Sequence, residues 1–169
     1  AGIVQKQTGV PVITHTTGAT LAHEQVDMLT KFGADPKKIA IGHLCDTNDV
    51  DYIESVLKKG VYVNFDRLGN SIDLVYNGND HIKMACIVEL INRGYVKQLM
   101  LGHDSVTMCT GLPFYGFNLN READWGMDLS HWHVYGMLEY HIPELMKMGV
   151  TEEQIEDMLV NNPRRYLCE

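Results

Sequence analysis

Hydrophobic and polar positions recur along the chain in one order. A short β-branched apolar run closes on a polar residue, and a longer stretch with apolar residues at helical spacing then closes on a glycine. Val10-Pro11-Val12-Ile13-Thr14-His15 is the first such run and predicts a strand. The positions Leu21, Val26, Met28, Leu29 and Phe32 predict a helix over 21–32, with Gly33 as its stop. Lys38-Ile39-Ala40-Ile41-Gly42-His43 repeats the strand pattern, and Asp46-Thr47-Asn48-Asp49 reads as the cap of a helix running to Lys59, closed by Gly60. A third strand is expected over 61–66 and a helix over 80–93, ended by Gly94. The fourth strand, 96–101, runs into Gly102-His103-Asp104, followed by a long loop to about Leu129 and a helix through Leu145. Thr151-Glu152-Glu153-Gln154 has the pattern of a capping box opening a last helix, which Asn162-Pro163 is expected to stop. At the head of the chain, Gln5 to Gly9 reads as the end of a helix capped by Gly9, and because Ala1 is not an initiator methionine, further sequence is expected to precede it.

Strands alternating with helices at this spacing imply right-handed βαβ units on a parallel sheet. Four such units are half of a (β/α)8 barrel, which ordinarily takes about 250 residues. No linker, low-complexity tract or charge block interrupts the pattern, so residues 1–169 read as one unit without an internal boundary. This architecture changes the meaning of four polar residues. His15, His43, Asp66 and Asp104 each fall at or just after the end of a different predicted strand, and in a barrel those ends converge on one rim where sites are assembled. Two imidazoles and a carboxylate there suit a divalent metal such as zinc, manganese, iron or cobalt. Any one of them alone would more readily be a hydrogen-bonded structural residue; their regular succession favours a shared site.

Composition narrows the partners. The chain is 45% hydrophobic and 21% charged, an ordinary globular balance. Lysine and arginine number 14 against 22 acidic residues, a net charge of -8, and no basic stripe stands out, which argues against nucleic acid. No apolar stretch is long enough to span a bilayer and residues 1–10 lack the blocks of a secretory signal, so no membrane partner and a cytoplasmic location are expected. Cys45, Cys86, Cys109 and Cys168 form no C-x-x-C pair and read as reduced thiols.

Five segments together carry a family likeness. Val12-Ile13-Thr14-His15-Thr16, Ile41-Gly42-His43-Leu44-Cys45-Asp46-Thr47-Asn48-Asp49, Phe65-Asp66-Arg67-Leu68-Gly69, Leu101-Gly102-His103-Asp104 and Asn161-Asn162-Pro163-Arg164-Arg165-Tyr166-Leu167 resemble the phosphotriesterase family of the amidohydrolase superfamily, over strands five to eight of its barrel. The resemblance implies the C-terminal half of a (β/α)8 TIM barrel. It also implies two divalent metals per complete site, zinc first among the candidates, bridged by a hydroxide that attacks a carbonyl carbon or phosphorus. By the same resemblance His15 and His43 ligate the more exposed metal, Asp104 ligates the buried metal and accepts a proton, and Asp46 stands behind Asp104 in a relay. The stretch 111–132, with Phe114, Tyr115, Phe117, Trp125 and Trp132, resembles the family's long substrate-covering loop. Tyr115 and Trp125, with Arg67, are therefore expected to line the substrate, although the aromatics would equally serve to pack the loop down.

Two departures qualify the likeness. Arg67, in Asp-Arg-Leu-Gly, stands where phosphotriesterases proper carry a relay histidine, and is similar to the lactonase branch. Lactones or carboxylic esters are then the expected substrates, with phosphotriesters as a side reaction, and Arg67, which cannot shuttle protons near neutral pH, would act electrostatically or structurally. The family's strand-one His-x-His and strand-four bridging lysine have no counterpart here; His131-Trp132-His133 falls at the opening of the last barrel helix, where i and i+2 side chains diverge, and reads as a rim feature. His23, His81 and His141 read as ordinary helix residues, and His103 as pointing away from the rim or supporting Asp104 from behind. Two other readings stay open: a non-catalytic half-barrel that binds or assembles, its edges covered by a homodimer or by an N-terminal half, and a different amidohydrolase branch using one metal.

Overall fold

A computed structural model of the chain describes residues 1–70, 79–105 and 130–168. Its centre is a parallel sheet of β1 (Val12–His15), β2 (Ile39–Gly42), β3 (Tyr62–Phe65) and β4 (Leu99–Leu101), in the spatial order β1-β2-β3-β4. The register pairs Val12 with Ile39, Ala40 with Tyr62 and Val63 with Leu99, so the carboxyl ends His15, Gly42, Phe65 and Leu101 come out along one rim. Around it lie α1 (Gly2–Thr8), α2 (Ala22–Lys31), α3 (Val50–Leu57) and α4 (Asp80–Asn92). After β4 come α5 (Ile142–Lys147), α6 (Glu152–Glu156) and α7 (Asn162–Cys168).

Strand alternation sorts the core into two clusters. Ile39, Ile41, Val63, Phe65 and Leu99 join Ile53, Leu57, Ile87 and Leu90 of α3 and α4 in the larger one, all essentially inaccessible to solvent. Ala40, Tyr62 and Met100 belong to a smaller cluster with Tyr166 of α7, whose ring meets Tyr62 edge-on at 5.6 Å between centroids. Each fully buried aliphatic side chain contributes about 1.5–3 kcal/mol, so the larger cluster dominates the stability of the four units.

The element ends follow local chemistry. Gly9, with φ 71°, caps α1 by returning its N–H to the Gln5 carbonyl, as expected from the sequence. Asp49, not Asp46, caps α3, its carboxylate accepting from the Tyr52 N–H at 2.9 Å, while Asp46 lies in a separate 3-10 turn. The expected fourth strand loses 96–98 to another 3-10 turn, and Asn162 of α7 donates to the Val96 carbonyl at 2.7 Å. The capping box at Thr151 and Gln154 is present.

Asn162-Pro163 does not stop the last helix, as the sequence pattern suggested. A π turn, Asp157–Asn161, leads straight into α7, just as a second π turn, Met137–His141, precedes Pro143 in α5. Proline removes one N–H and crowds the carbonyl four residues earlier; Glu139 and Leu159, which carry those carbonyls, both lie in the widened turns that relieve the conflict. The helix after β4 begins at Met137, so His131 and His133 lie before it in a turn-rich stretch and do not open it.

His141, fully buried at the end of the Met137–His141 turn, reaches back to α4. Its Nε2 lies 2.7 Å from Asp80 Oδ2 and its Nδ1 lies 3.0 Å from the Gly136 carbonyl. Asp80 in turn accepts from the Gly69 N–H at 2.9 and 3.0 Å. Burial pushes the Asp80 carboxyl up, but the His141 hydrogen bond, the Gly69 N–H and the charges of His141 and Lys83 outweigh it and hold the group below its ordinary value. A depressed folded-state value means a stabilisation complete above the ordinary aspartate pKa of about 3.9 and lost as pH falls through the folded value. Urea unfolding across an acid series should therefore show the unchanged chain losing stability below about pH 4 more steeply than Asp80→Asn.

Gly69 has φ 84°, and a Cβ on it would lie 2.5 Å from the His131 carbonyl oxygen. Gly69→Ala combines a left-handed backbone with a clash against main chain and is expected to cost about 1–3 kcal/mol or more, measurable as a lower urea midpoint.

Candidate active site

The rim is assembled from the residues that end each strand. His15 closes β1, and its ring meets that of His43 edge-on with centroids 4.5 Å apart and planes at 81°. His43 follows β2 in the left-handed region at φ 61°, which frees the chain to turn at once into the Leu44–Asp46 turn. Gly42 is required beside it, because a Cβ there would run into the Thr14 carbonyl. Thr16 locks the same corner, its hydroxyl donating to the Gly42 carbonyl at 2.9 Å.

Asp66, just past β3, fixes His43. Its Oδ1 accepts from the His43 backbone N–H at 2.9 Å and lies 3.0 Å from Nδ1 of the ring. The carboxylate thereby holds the proton on Nδ1 and leaves Nε2 as the ring's lone-pair nitrogen. The two imidazoles are tuned apart. The Asp66 hydrogen bond and charge raise the pKa of His43 against the effect of burial. Desolvation, then the neighbouring His43 and Arg67, lower that of His15, which is neutral and free to donate a lone pair near pH 7.

Arg67 stands between two carboxylates. One terminal nitrogen donates to Asp46 Oδ2 at 2.6 Å, and its Nε faces Asp104 Oδ2 at a longer 3.4 Å. The Asp46 side chain is fully buried and that of Asp104 is 43% exposed. Arg67 thus sets a guanidinium, which keeps its proton near neutral pH, against both carboxylates. Asp104 itself adopts φ 48°, a backbone region where Asp and Asn are enriched among non-glycine residues.

The structure brings His15 and His43 together and Asp46, Arg67 and Asp104 together. Asp66, which the sequence placed on the rim without a task, holds His43; its one signal was its place at a strand end beside a histidine-bearing neighbour. As a metal cradle the fit is partial. The paired imidazoles and the carboxylate-oriented ring suit an ion, yet among the described residues no three histidine, cysteine, aspartate or glutamate side chains converge closely enough to hold one. Asp104 is turned toward Arg67. Tyr115 and Trp125, expected to line the substrate, and Cys109 lie outside the described residues.

Three of the other histidines have packing partners. His131 stacks on Tyr140 with centroids 3.6 Å apart and planes at 3°, and His23 lies 2.8 Å from the Ser55 hydroxyl. His103 accepts from the Ser105 N–H through Nδ1, and its carbonyl accepts from the Trp132 indole at 2.7 Å. Its imidazole thus braces the backbone just past Asp104.

Parallel β/α units that gather imidazoles and carboxylates at the carboxyl ends of the strands define a barrel-type α/β fold of the kind that hosts enzyme sites on that rim. The chain belongs to the phosphotriesterase family, whose sequence model matches residues 1–167. It is 32% identical over 161 residues to a phosphotriesterase homology protein of Mycobacterium tuberculosis, covering 95% of this chain and 46% of that protein. It is 33% identical over 170 residues to an aryldialkylphosphatase of Saccharolobus solfataricus, covering 98% of this chain and 50% of that one. A crystal structure of a mutant PTE-like lactonase from Deinococcus radiodurans superposes with a TM-score of 0.84 at 32% identity, over 99% of this chain and 50% of that chain. The chain thus spans about half the length of the relatives it matches. Among the described residues no helix is long and apolar enough to cross a membrane.

Proposed function

We propose that the chain contributes to a metal-dependent hydrolase of lactones or carboxylic esters, with phosphotriesters as a side reaction, and that it supplies the C-terminal half of the barrel. The observation that carries this reading is the rim itself: a carboxylate-oriented imidazole beside a neutral one, next to a guanidinium poised between two carboxylates. The succession of motifs supports assigning the four units to strands five to eight, and the relatives include both an aryldialkylphosphatase and a PTE-like lactonase. In this reading His15 and His43 hold a divalent ion, zinc first, Asp104 serves as ligand and proton acceptor, and the remaining ligands come from the N-terminal half. A bound divalent ion supplies Lewis acidity and lowers the pKa of water. Arg67 and Asp46 fix the charge around Asp104, and Arg67, Tyr115 and Trp125 contact the substrate. The cytoplasm is the proposed location.

The β1 and β4 strands at the two ends of the sheet favour a second reading, a half-barrel that assembles through those edges without turning over substrate. Metal content per chain, measured beside lactone hydrolysis on the complete protein, separates the two. Tightly held metal with turnover is expected; metal-free protein without lactone turnover would remove the hydrolase reading. Asp66→Ala is expected to lower metal affinity about 10- to 100-fold by releasing the His43 ring, read by competition with a chromogenic chelator.

A further inference from the structure

The guanidinium of Arg67 is only as well placed as the turn that bears it. That turn, 67–70, follows β3, and α4 grips it from both sides. Lys83, only 2% exposed, donates from Nζ to the Arg67 carbonyl at 2.8 Å and to the Asn70 carbonyl at 2.9 Å. One helical turn earlier Asp80 accepts the Gly69 N–H with both oxygens. Asp80 is itself held by His141 from beyond β4, and the Leu68 N–H donates to the Gly102 carbonyl at 3.3 Å.

We infer that Lys83 and Asp80, with His141 behind Asp80, are positioning residues that set the Arg67 guanidinium between Asp46 and Asp104. An ammonium is an expensive group to bury, and beside Met84 and Ile87 a methionine would fill the same volume without desolvating a charge. What the ammonium adds is two directed hydrogen bonds that fix the carbonyls at both ends of a four-residue turn. The carboxylate of Asp80 fixes the N–H between them. Three main-chain groups of the turn are thus tied to one rigid helix. Arg67 has a long, rotatable side chain, and a shift of its backbone by about 1 Å is enough to cost on the order of 100-fold in a site that depends on its geometry.

The catalytic consequence rests on the proposed hydrolase reading; the positioning does not, and the test separates them. In protein labelled with 15N-arginine, the Arg67 Nε–H signal, identified by its loss in Arg67→Lys, reports how firmly the guanidinium is held. Lys83→Met and Asp80→Ala are expected to speed its exchange with solvent about tenfold or more and to lower lactone kcat/KM by about 10- to 100-fold. Asp80→Asn should keep the exchange within about twofold, because its amide oxygen still accepts from the Gly69 N–H. Should the first two variants fail to fold, His141→Phe keeps the ring volume and removes the tie to Asp80, and faster exchange is again expected. Unchanged exchange in folded Lys83→Met and Asp80→Ala, or in His141→Phe where those do not fold, overturns the inference. Faster exchange in a protein that hydrolyses no lactone upholds the positioning and removes the hydrolase reading instead.

Discussion

Replacing Arg67 by methionine is expected to lower the unfolding free energy by about 3–5 kcal/mol, the largest stability effect of any single rim substitution. The Asp46 side chain has no solvent exposure, and the guanidinium donates to it at 2.6 Å. A hydrogen bond between full charges in a dry environment is short and strong, and removing one partner takes that compensation from a charge held away from water. The Asp104 arm contributes far less, since that carboxylate is 43% exposed and 3.4 Å away, where water screens the interaction. The expectation is sharpened by a double-mutant cycle. Asp46→Asn removes the charge and keeps the shape, so Arg67→Met combined with Asp46→Asn should recover at least about half of the loss. For a chain of this size the single substitution corresponds to a fall in Tm of roughly 6–20 °C. A fall of less than about 2 °C would show that Asp46 does not depend on Arg67.

The strands were legible because buried parallel strands leave near-continuous apolar runs, as in Ile39-Ala40-Ile41 and, broken only by Asn64, Tyr62–Phe65, bounded by residues that end them. Their exact starts were less so. Val96 looks like strand, yet its carbonyl is taken by Asn162, more than sixty residues away, and the chain turns there. Pro163 misled for a related reason. Pro163 is a helix stop by local rules, and only the preceding π turn, which leaves no mark in the hydrophobic pattern, lets the helix continue. At the rim, spacing along the strands was enough to bring His15, His43, Asp66 and Asp104 into one region. It could not tell which carboxylate faces which cation. Asp66 turns to His43, Asp46 and Asp104 share Arg67, and His141, an ordinary helix residue by sequence, is buried against Asp80. These pairings depend on side-chain direction at strand ends, where φ values of 61° at His43 and 48° at Asp104 depart from any regular pattern.

That backbone conformation decides which substitution tests Asp104 cleanly. At φ 48° alanine would add strain to the loss of the carboxylate, whereas asparagine is at home in the left-handed region and matches aspartate in shape. Asp104→Asn is therefore expected to leave the unfolding midpoint within about 0.5 kcal/mol of the unchanged chain, because the side chain is substantially exposed and its hydrogen bond to Arg67 Nε is long. Hydrolysis should respond differently. If Asp104 accepts the proton of the attacking water, an amide in its place has no basic lone pair to offer, and lactone kcat on the complete, metal-loaded protein should fall by about 100- to 10,000-fold. Because Arg67 would still be held by Asp46 at 2.6 Å, substrate contact through the guanidinium persists and KM should change little. A large rise in KM at constant kcat would instead make Asp104 a binding residue, and unchanged turnover would remove it from the chemistry altogether. The contrast with Arg67→Met is the physical point: two residues joined by one hydrogen bond divide stability and reactivity between them according to which end of the pair is buried.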